Sequence, residues 1–537
     1  MVAGGEIVHI DPQRLFVNAE VLGNITVTRD CIVQGATLKL QHPGTTVSFS
    51  PGVGADLFIL SDAQLLAQGT LNDSIRFTSA ASTPQPKDWG NIYLYGSNNL
   101  MEYCAVEYGN WAVKIEGNPS TSSGNTVRNC TMRHNDQGLR IHNTVATVEN
   151  TTIEHNRHAY VILDNADVTI RNNLVQHNDR DGIYSSSSII DLFDSRLEYN
   201  GEGDVSTIHG IYAGWSDDVA LGPRFSIGDP NEGGYNTIRN NRGAGILLVS
   251  GATVLVGKKV GTNSYWAGNN SLHANGTKSG TYFGKDLYNG SSTTVLAEHN
   301  YWGGLCPPAS SQLFGVVDTD VCLSVSPTGF LTADPGAQKP SGLSLGNGAI
   351  RMLSNTGSSV TTGKDPDTEI KEALIAQDKA VIAAQPDSPE AVAALRELYS
   401  LIRTDRADKL VERATVESYL DSLYTVHPSI DLSRTALQLL VVETRRKGKL
   451  ERALSLSETA LSELSGAAKS GVMFNLVFLY LSAGDLQRAR DVASRYETAF
   501  PDDVSGIAFL QESVSQAVAA QEQTAAVAMP AARTSPG

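Results

Sequence analysis

The sequence predicts a mainly β chain, a right-handed single-stranded parallel β-helix solenoid followed by an all-α helical-repeat domain. Three observations predict it. A motif recurs about every 22 residues before residue 327, composition shifts sharply there, and apolar residues fall at helical spacing after residue 365. Segments 127–135, 148–156, 170–178 and 192–200 align without gaps, and their closing asparagines lie 21, 22 and 22 residues apart. A small residue and a second short strand follow each, opened by Gly138, Ala159, Gly182 and Gly210. This period is too short for a helix-containing crossover and too long for a hairpin, but it fits one turn of a coil of short strands. Stacked coils pair as parallel sheets and bury one continuous core, so every coil depends on its neighbours.

In register, Met132, Ile153, Val175 and Leu197 form an inward stack. Asn129, Asn150 and Asn172 form a ladder at a bend, with Asp194 in the fourth coil. Asparagine tolerates the left-handed backbone of such bends, and in-register amides can satisfy one another when buried. Weaker copies of the motif precede (100–109) and follow (236–241) these coils. The β-helix is assigned to residues 1–326, a Gly/Ser/Thr/Pro-rich linker to 327–364, helical repeats to 365–520 and a disordered Ala/Gln-rich tail to 521–537.

A net charge of −16 argues against an extended nucleic-acid surface, which needs a basic patch. No run reaches the roughly 18 apolar residues of a membrane span. The start, Met1 to Glu6, has neither the basic residues nor the apolar stretch of a signal peptide.

Residues Gly44 to Phe49, Ile75 to Ser79, Asp88-Trp89-Gly90 and the late Asn300-Tyr301-Trp302-Gly303-Gly304 resemble secreted bacterial β-helix proteins of the pectate-lyase-like kind, over about residues 20–325. That resemblance implies an extracellular or cell-surface location, with sites on a solvent-facing sheet where sugar rings stack on aromatic faces. It names a fold rather than a reaction. The run Tyr480-x3-Gly484-x-Leu486-x2-Ala489-x3-Ala493, closed by Pro501, resembles a tetratricopeptide unit, with Tyr496 at a usually small position and a partial copy from Gly448. It implies paired antiparallel helices that contact or space another protein.

Counting from the Gly or Ala that opens each second strand, positions two and four point outward and are expected to face solvent. The two columns read Lys114, Arg140, Val161, Tyr184, Tyr212, Leu247 and Glu116, His142, Leu163, Ser186, Gly214. Lys114, Glu116, Arg140 and His142 form one cluster, continued by Tyr184 and Tyr212 and flanked by Asp181 and Trp215. This strip is the candidate carbohydrate-binding surface, weighed against an ordinary solvated face. The catalytic candidates are Lys114, Arg140 and His142. A polysaccharide lyase needs a base and a group that neutralises the substrate carboxylate, whereas a hydrolase needs paired carboxylates, and Glu116 and Asp181 lie coils apart.

Cys306 and Cys322 sit outside the coil pattern, spaced to close a small ring, and read as a disulfide; Cys104 and Cys130 share an inward column as small apolar side chains. The column His134, His155, His177 and Tyr199 stands at a bend and reads as stacked rings rather than a metal site. No cofactor is expected, since the Asp217-Asp218 and Asp179/Asp181 pairs, open to calcium, read as turns. The expectation is a noncatalytic extracytoplasmic scaffold or glycan-binding protein with a helical protein-interaction region. The alternative is a polysaccharide lyase acting on an acidic polymer.

Overall fold

The computed structural model describes residues 18–52, 54–117, 122–203, 208–214, 217–223, 234–249, 252–259, 265–291, 294–327, 366–403, 410–426, 431–446, 449–501, 507, 510–511, 513–515 and 517–518. The linker from 328 to 364, the tail, Trp215 and Gly448 lie outside these residues. The first part of the chain is a right-handed parallel β-helix, with three sheets of 13, 10 and 11 strands among the described residues. A coil visits each sheet once, as in Asn125–Arg128, Thr131–Arg133 and Gln137–His142, followed by Val145–Glu149, Thr152–Glu154 and His158–Leu163.

The corners explain the repeat. Asn129, Asn150, Asn172 and Asp194 have φ between 49 and 55°, and His134, His155, His177 and Tyr199 between 52 and 56°. Left-handed backbone costs most side chains about 1–2 kcal/mol, which favours Asn, Asp and other residues that bond or stack locally. The three histidine rings stack at 5.5 and 5.4 Å, and Tyr199 extends the column at 5.4 Å from His177. Among the described residues no group of His, Cys, Asp or Glu is arranged to hold a metal ion. Inside, Met132, Ile153, Val175 and Leu197 pair rung by rung and are fully buried.

The buried polar ladder differs from the one expected. Asn172 donates to Asn150 at 2.6 Å, but Asn129, Asn150 and Asn172 are all partly exposed or exposed. The buried ladder runs instead through the closing asparagines. Asn135, Asn156, Asn178, Asn200 and Asn241 each donate Nδ2 to the Oδ1 of the next coil's asparagine, at 2.9–3.3 Å. The ladder ends where Asn275 donates to Asp286 at 2.9 Å. The same Nδ2 atoms reach main-chain carbonyls of the preceding coil's short strands, at Met132, Ile153 and Val175, and the asparagine N–H groups bond the next coil's Oδ1. The reason is geometric: these side chains turn inward at the corner, where main-chain groups leave one sheet before joining the next and need partners.

Cys306 and Cys322 are disulfide-bonded, with Cα atoms 5.5 Å apart, while Cys31, Cys104 and Cys130 are free and buried.

The C-terminal part is helical: α1 (Pro366–Ala384), α2 (Pro389–Arg403), α3 (Leu410–Val426), α4 (Asp431–Arg446), α5 (Leu450–Glu463), α6 (Gly466–Ser482) and α7 (Leu486–Ala499). Gly484, at φ 74°, makes the turn from α6 to α7, and Asp485 caps α7 by accepting from Arg488 N at 3.1 Å. Every residue of α6 from Gly471 to Tyr480 is buried. A helix that is apolar all round must be covered on all sides.

Candidate functional site

The outward face of the 11-stranded sheet carries the predicted strip. Register places Phe58, Tyr93, Lys114, Arg140, Val161, Tyr184, Tyr212 and Leu247 in one column. A second column pairs Glu116 with His142 and His142 with Leu163. The character of the face changes between Arg140 and Val161. Before that point it is polar and aromatic; beyond it, apolar.

The apolar half is not solvent-facing. Val161, Leu163, Tyr184, Tyr212 and Leu247 belong to one buried cluster with Met473, Phe474 and Val477 of α6. Tyr184 and Tyr212 stack on each other at 4.7 Å, and each is 2% exposed. The expectation that these tyrosines offer open faces for sugars is therefore corrected: they point outward, and the helical domain covers them. The driving force is mutual, because neither α6 nor this half of the sheet can be left in water without exposing a large apolar area. Asp181 is corrected too. It is buried and accepts from His209 N at 2.8 Å, tying a corner rather than flanking an open surface, and burial lifts its carboxyl to about 7. Asp217 accepts from Ser188 N at 2.9 Å and Gly214 N at 2.6 Å, which makes it a turn residue.

Polar contacts pin the edge of the covered region. Arg445 of α4 forms an ion pair with Asp164, which follows strand His158–Leu163, and donates to Asn475 of α6 at 2.6 Å. Ser187 of the β-helix donates to the same Asn475 oxygen at 3.0 Å.

The polar half brings together the four charged residues singled out from the sequence. Lys114 is buried, however, at 8% exposure, so the expectation that it faces solvent is corrected, while Glu116, Arg140 and His142 keep side chains 19%, 24% and 27% exposed. Lys114 pairs in register with Arg140, and Glu116 with His142. Lys114 Nζ donates to the Tyr93 hydroxyl at 3.2 Å and lies over the Tyr93 and Trp111 rings at 4.7 and 5.4 Å. Burial, then the neighbouring Arg140, lowers its ammonium to about 8. Burial works to raise the Glu116 carboxyl, but Arg140, His142 and Lys114 outweigh it and hold it below the usual range. The Arg140–Glu116 pair is wide, at 3.5 Å, and the Arg140 side chain is 24% exposed. His142 Nε2 lies 2.9 Å from Asp164 Oδ2.

Besides Trp111, three aromatic residues adjoin the cluster. Phe58 stacks on Tyr93 at 4.7 Å, and Tyr93 is parallel to Tyr95 at 5.5 Å. With Phe58 against one face of Tyr93 and Lys114 over its ring, Tyr93 has little face left for a sugar. Next to them is a hollow of about 760 Å³ lined by Phe58, Leu60, Ser61, Tyr95, Gly96, Gly117 and Ser122. Gly117 of that lining directly follows Glu116 in the chain.

Phe58 and Tyr93 continue the Lys114 column two coils and one coil back, and Tyr95 continues the Glu116 column; the sequence expectation started at Lys114 and did not include them. Asp164 and Arg445 carry no local signal, since their pairing exists only once the helices dock.

The family model for the right handed beta helix region matches residues 83–222. The chain is similar to the structure titled "Crystal structure of alginate lyase from Paenibacillus sp. str. FPU-7", at 12% identity over 52% of this chain and 99% of that one, with a TM-score of 0.20. No curated protein matches the chain. Among the described residues no helix is long and apolar enough to cross a membrane.

Proposed function

We propose that this chain binds an acidic saccharide on the polar half of the outward sheet, through its partly exposed Glu116, Arg140 and His142. The observation that carries the reading is the convergence of Lys114, Glu116, Arg140 and His142 beside the hollow lined by Phe58 and Tyr95, at the rim of the helical cap. A uronate carboxylate suits Arg140, whose guanidinium is only loosely held by Glu116 and can form charge-assisted hydrogen bonds. Sugar hydroxyls suit Glu116 as acceptor and His142 as donor or acceptor. Phe58 and Tyr95 line the hollow and supply apolar contact there, in place of the stacking that Tyr184 and Tyr212 were expected to give. The Cys306–Cys322 disulfide supports an extracellular or cell-surface location.

The tetratricopeptide-like reading of the helices rests on the Gly484 turn and on Ala489, which is fully buried in α7. With α6 occupied by the β-helix, a protein partner is left the outer helices. The test is calorimetric titration with uronate oligosaccharides. Wild type binds, and Arg140→Ala weakens binding at least tenfold; equal binding by both proteins contradicts the reading.

One observation favours a second reading, a lyase of the pectate-lyase-like kind. The Lys114 amine, lowered to about 8, touches the Tyr93 hydroxyl, which burial holds protonated well above the usual phenol range. The amine would take the proton beside the uronate carboxyl, the glycosidic C–O bond would break, and Tyr93 would return a proton to the leaving oxygen. Activity would rise with pH through about 8. New ultraviolet absorbance from unsaturated sugars, lost in Lys114→Met, would support it, and no absorbance from any uronate polymer would leave binding alone.

A further inference from the structure

The helical domain does more than cover apolar residues, because its Arg445 reaches the rim of the candidate site through two contacts. Arg445 pairs with Asp164, and the other oxygen of that carboxylate, Oδ2, lies 2.9 Å from His142 Nε2. Both members of the ion pair are nearly buried, with side chains 10% and 8% exposed. An ionised carboxylate only accepts hydrogen bonds, so its imidazole partner must present an N–H. We propose that Arg445 and Asp164 form a positioning pair that holds His142 with its proton on Nε2 and its Nδ1 directed to a ligand hydroxyl, so that the saccharide site is complete only when the helical domain is docked.

Three observations support it. Burial alone works to raise the Asp164 carboxyl, and Arg445, followed by the contact with His142, outweighs burial and holds it at about 2. Without Arg445, burial is opposed only by His142 and Arg140 and the carboxyl shifts up towards its neutral acid, which can donate as well as accept and dictates the histidine's proton less firmly. Asp164 is also fixed in place: it sits in left-handed backbone at φ 54°, directly after the strand that ends at Leu163, and its N–H bonds Ser186 O at 3.1 Å. Arg445 in turn is held by Asn475, which the β-helix engages through Ser187. The relay therefore runs from α6 and α4 to a side chain on the sheet face. His142 is half-buried beside Glu116, Arg140 and Asp164, with Lys114 diagonally across on the neighbouring strand.

The inference rests on the saccharide reading for its functional meaning but not for its test. The full chain, labelled with nitrogen-15 at its eleven histidines, is followed by nuclear magnetic resonance, with the His142 signals assigned by their loss in His142→Phe. Wild type and Arg445→Lys should show a His142 Nε2–H signal that exchanges slowly with water. Arg445→Met should lose it or speed its exchange at least tenfold while the other histidine signals stay in place. Should the single variant fail to fold, Asp164→Asn combined with Arg445→Met leaves no unpaired buried charge and serves instead, with the same expected loss. An unchanged slowly exchanging signal in the folded variant would overturn the relay. Uronate titrations on the same proteins separate the two ideas: a normal relay with no binding by wild type defeats the saccharide reading alone.

Discussion

The Ser187 hydroxyl donates to Asn475 Oδ1 at 3.0 Å across 288 positions of chain, and the same oxygen accepts from Arg445 at 2.6 Å. One buried amide thus joins the β-helix to two helices of the cap. Asn475→Leu removes this shared acceptor from both donors, with Arg445 keeping its pair with Asp164, and the two lost buried hydrogen bonds together are worth about 1–3 kcal/mol. Urea unfolding should show a loss in that range, with the apolar contacts of Phe474 and Val477 still in place. A variant as stable as wild type would mean that the amide contributes nothing to docking.

The asparagine ladders make a sharper comparison. Asn178 is fully buried, donates to Asn200 at 2.9 Å and accepts from Asn156, whereas Asn150 is exposed. Asn178→Ala strands several main-chain and amide groups and should cost roughly 3 kcal/mol or more. Asn150→Ala should cost about 1 kcal/mol, chiefly from placing alanine in left-handed backbone. Denaturation of the two variants side by side checks the order. The reverse order would return the structural ladder to the bend asparagines.

Asp181 gives a pH test whose sign is fixed. Burial raises its folded-state carboxyl from 3.8 to about 7, so the folded protein binds the proton more tightly than the unfolded chain. Its contribution is therefore fully present below about pH 4 and falls as pH rises towards 7. Asp181→Asn keeps an acceptor for His209 N and never ionises. The variant should match wild type within about 0.5 kcal/mol at pH 4 and exceed it by about 1–3 kcal/mol at pH 8. A stability difference that does not grow between those two pH values contradicts this.

Much of the fold was legible because the coil repeats. The spacing of Asn135, Asn156, Asn178 and Asn200 located the coils, and the Gly or Ala opening each second strand set which residues point in. The four-residue cluster followed from that register alone. What failed was the step from outward to exposed. Val161, Leu163 and Leu247 already stood at outward positions, and the apolar run of α6, Val472 to Leu481, is the matching partner. Read together, an apolar outward column and an all-round apolar helix announce a docked interface. Neither feature says which helix residue will meet which strand, so Asp164 and Arg445 stayed invisible. The ladder was misplaced for a related reason: both asparagine columns repeat with the same period, and period alone does not distinguish a partly exposed bend from a buried corner.

The central claim is that the charged cluster on the polar half of the sheet recognises the carboxylates of an acidic saccharide. Calorimetric titration of the full chain with a uronate polymer and with the same polymer after chemical reduction of its carboxyl groups tests it most directly. The account predicts binding of the parent polymer, at least tenfold weaker binding of the reduced one, and the same loss when Arg140→Ala meets the parent. Equal affinity for the two polymers, or no affinity for either, would contradict it.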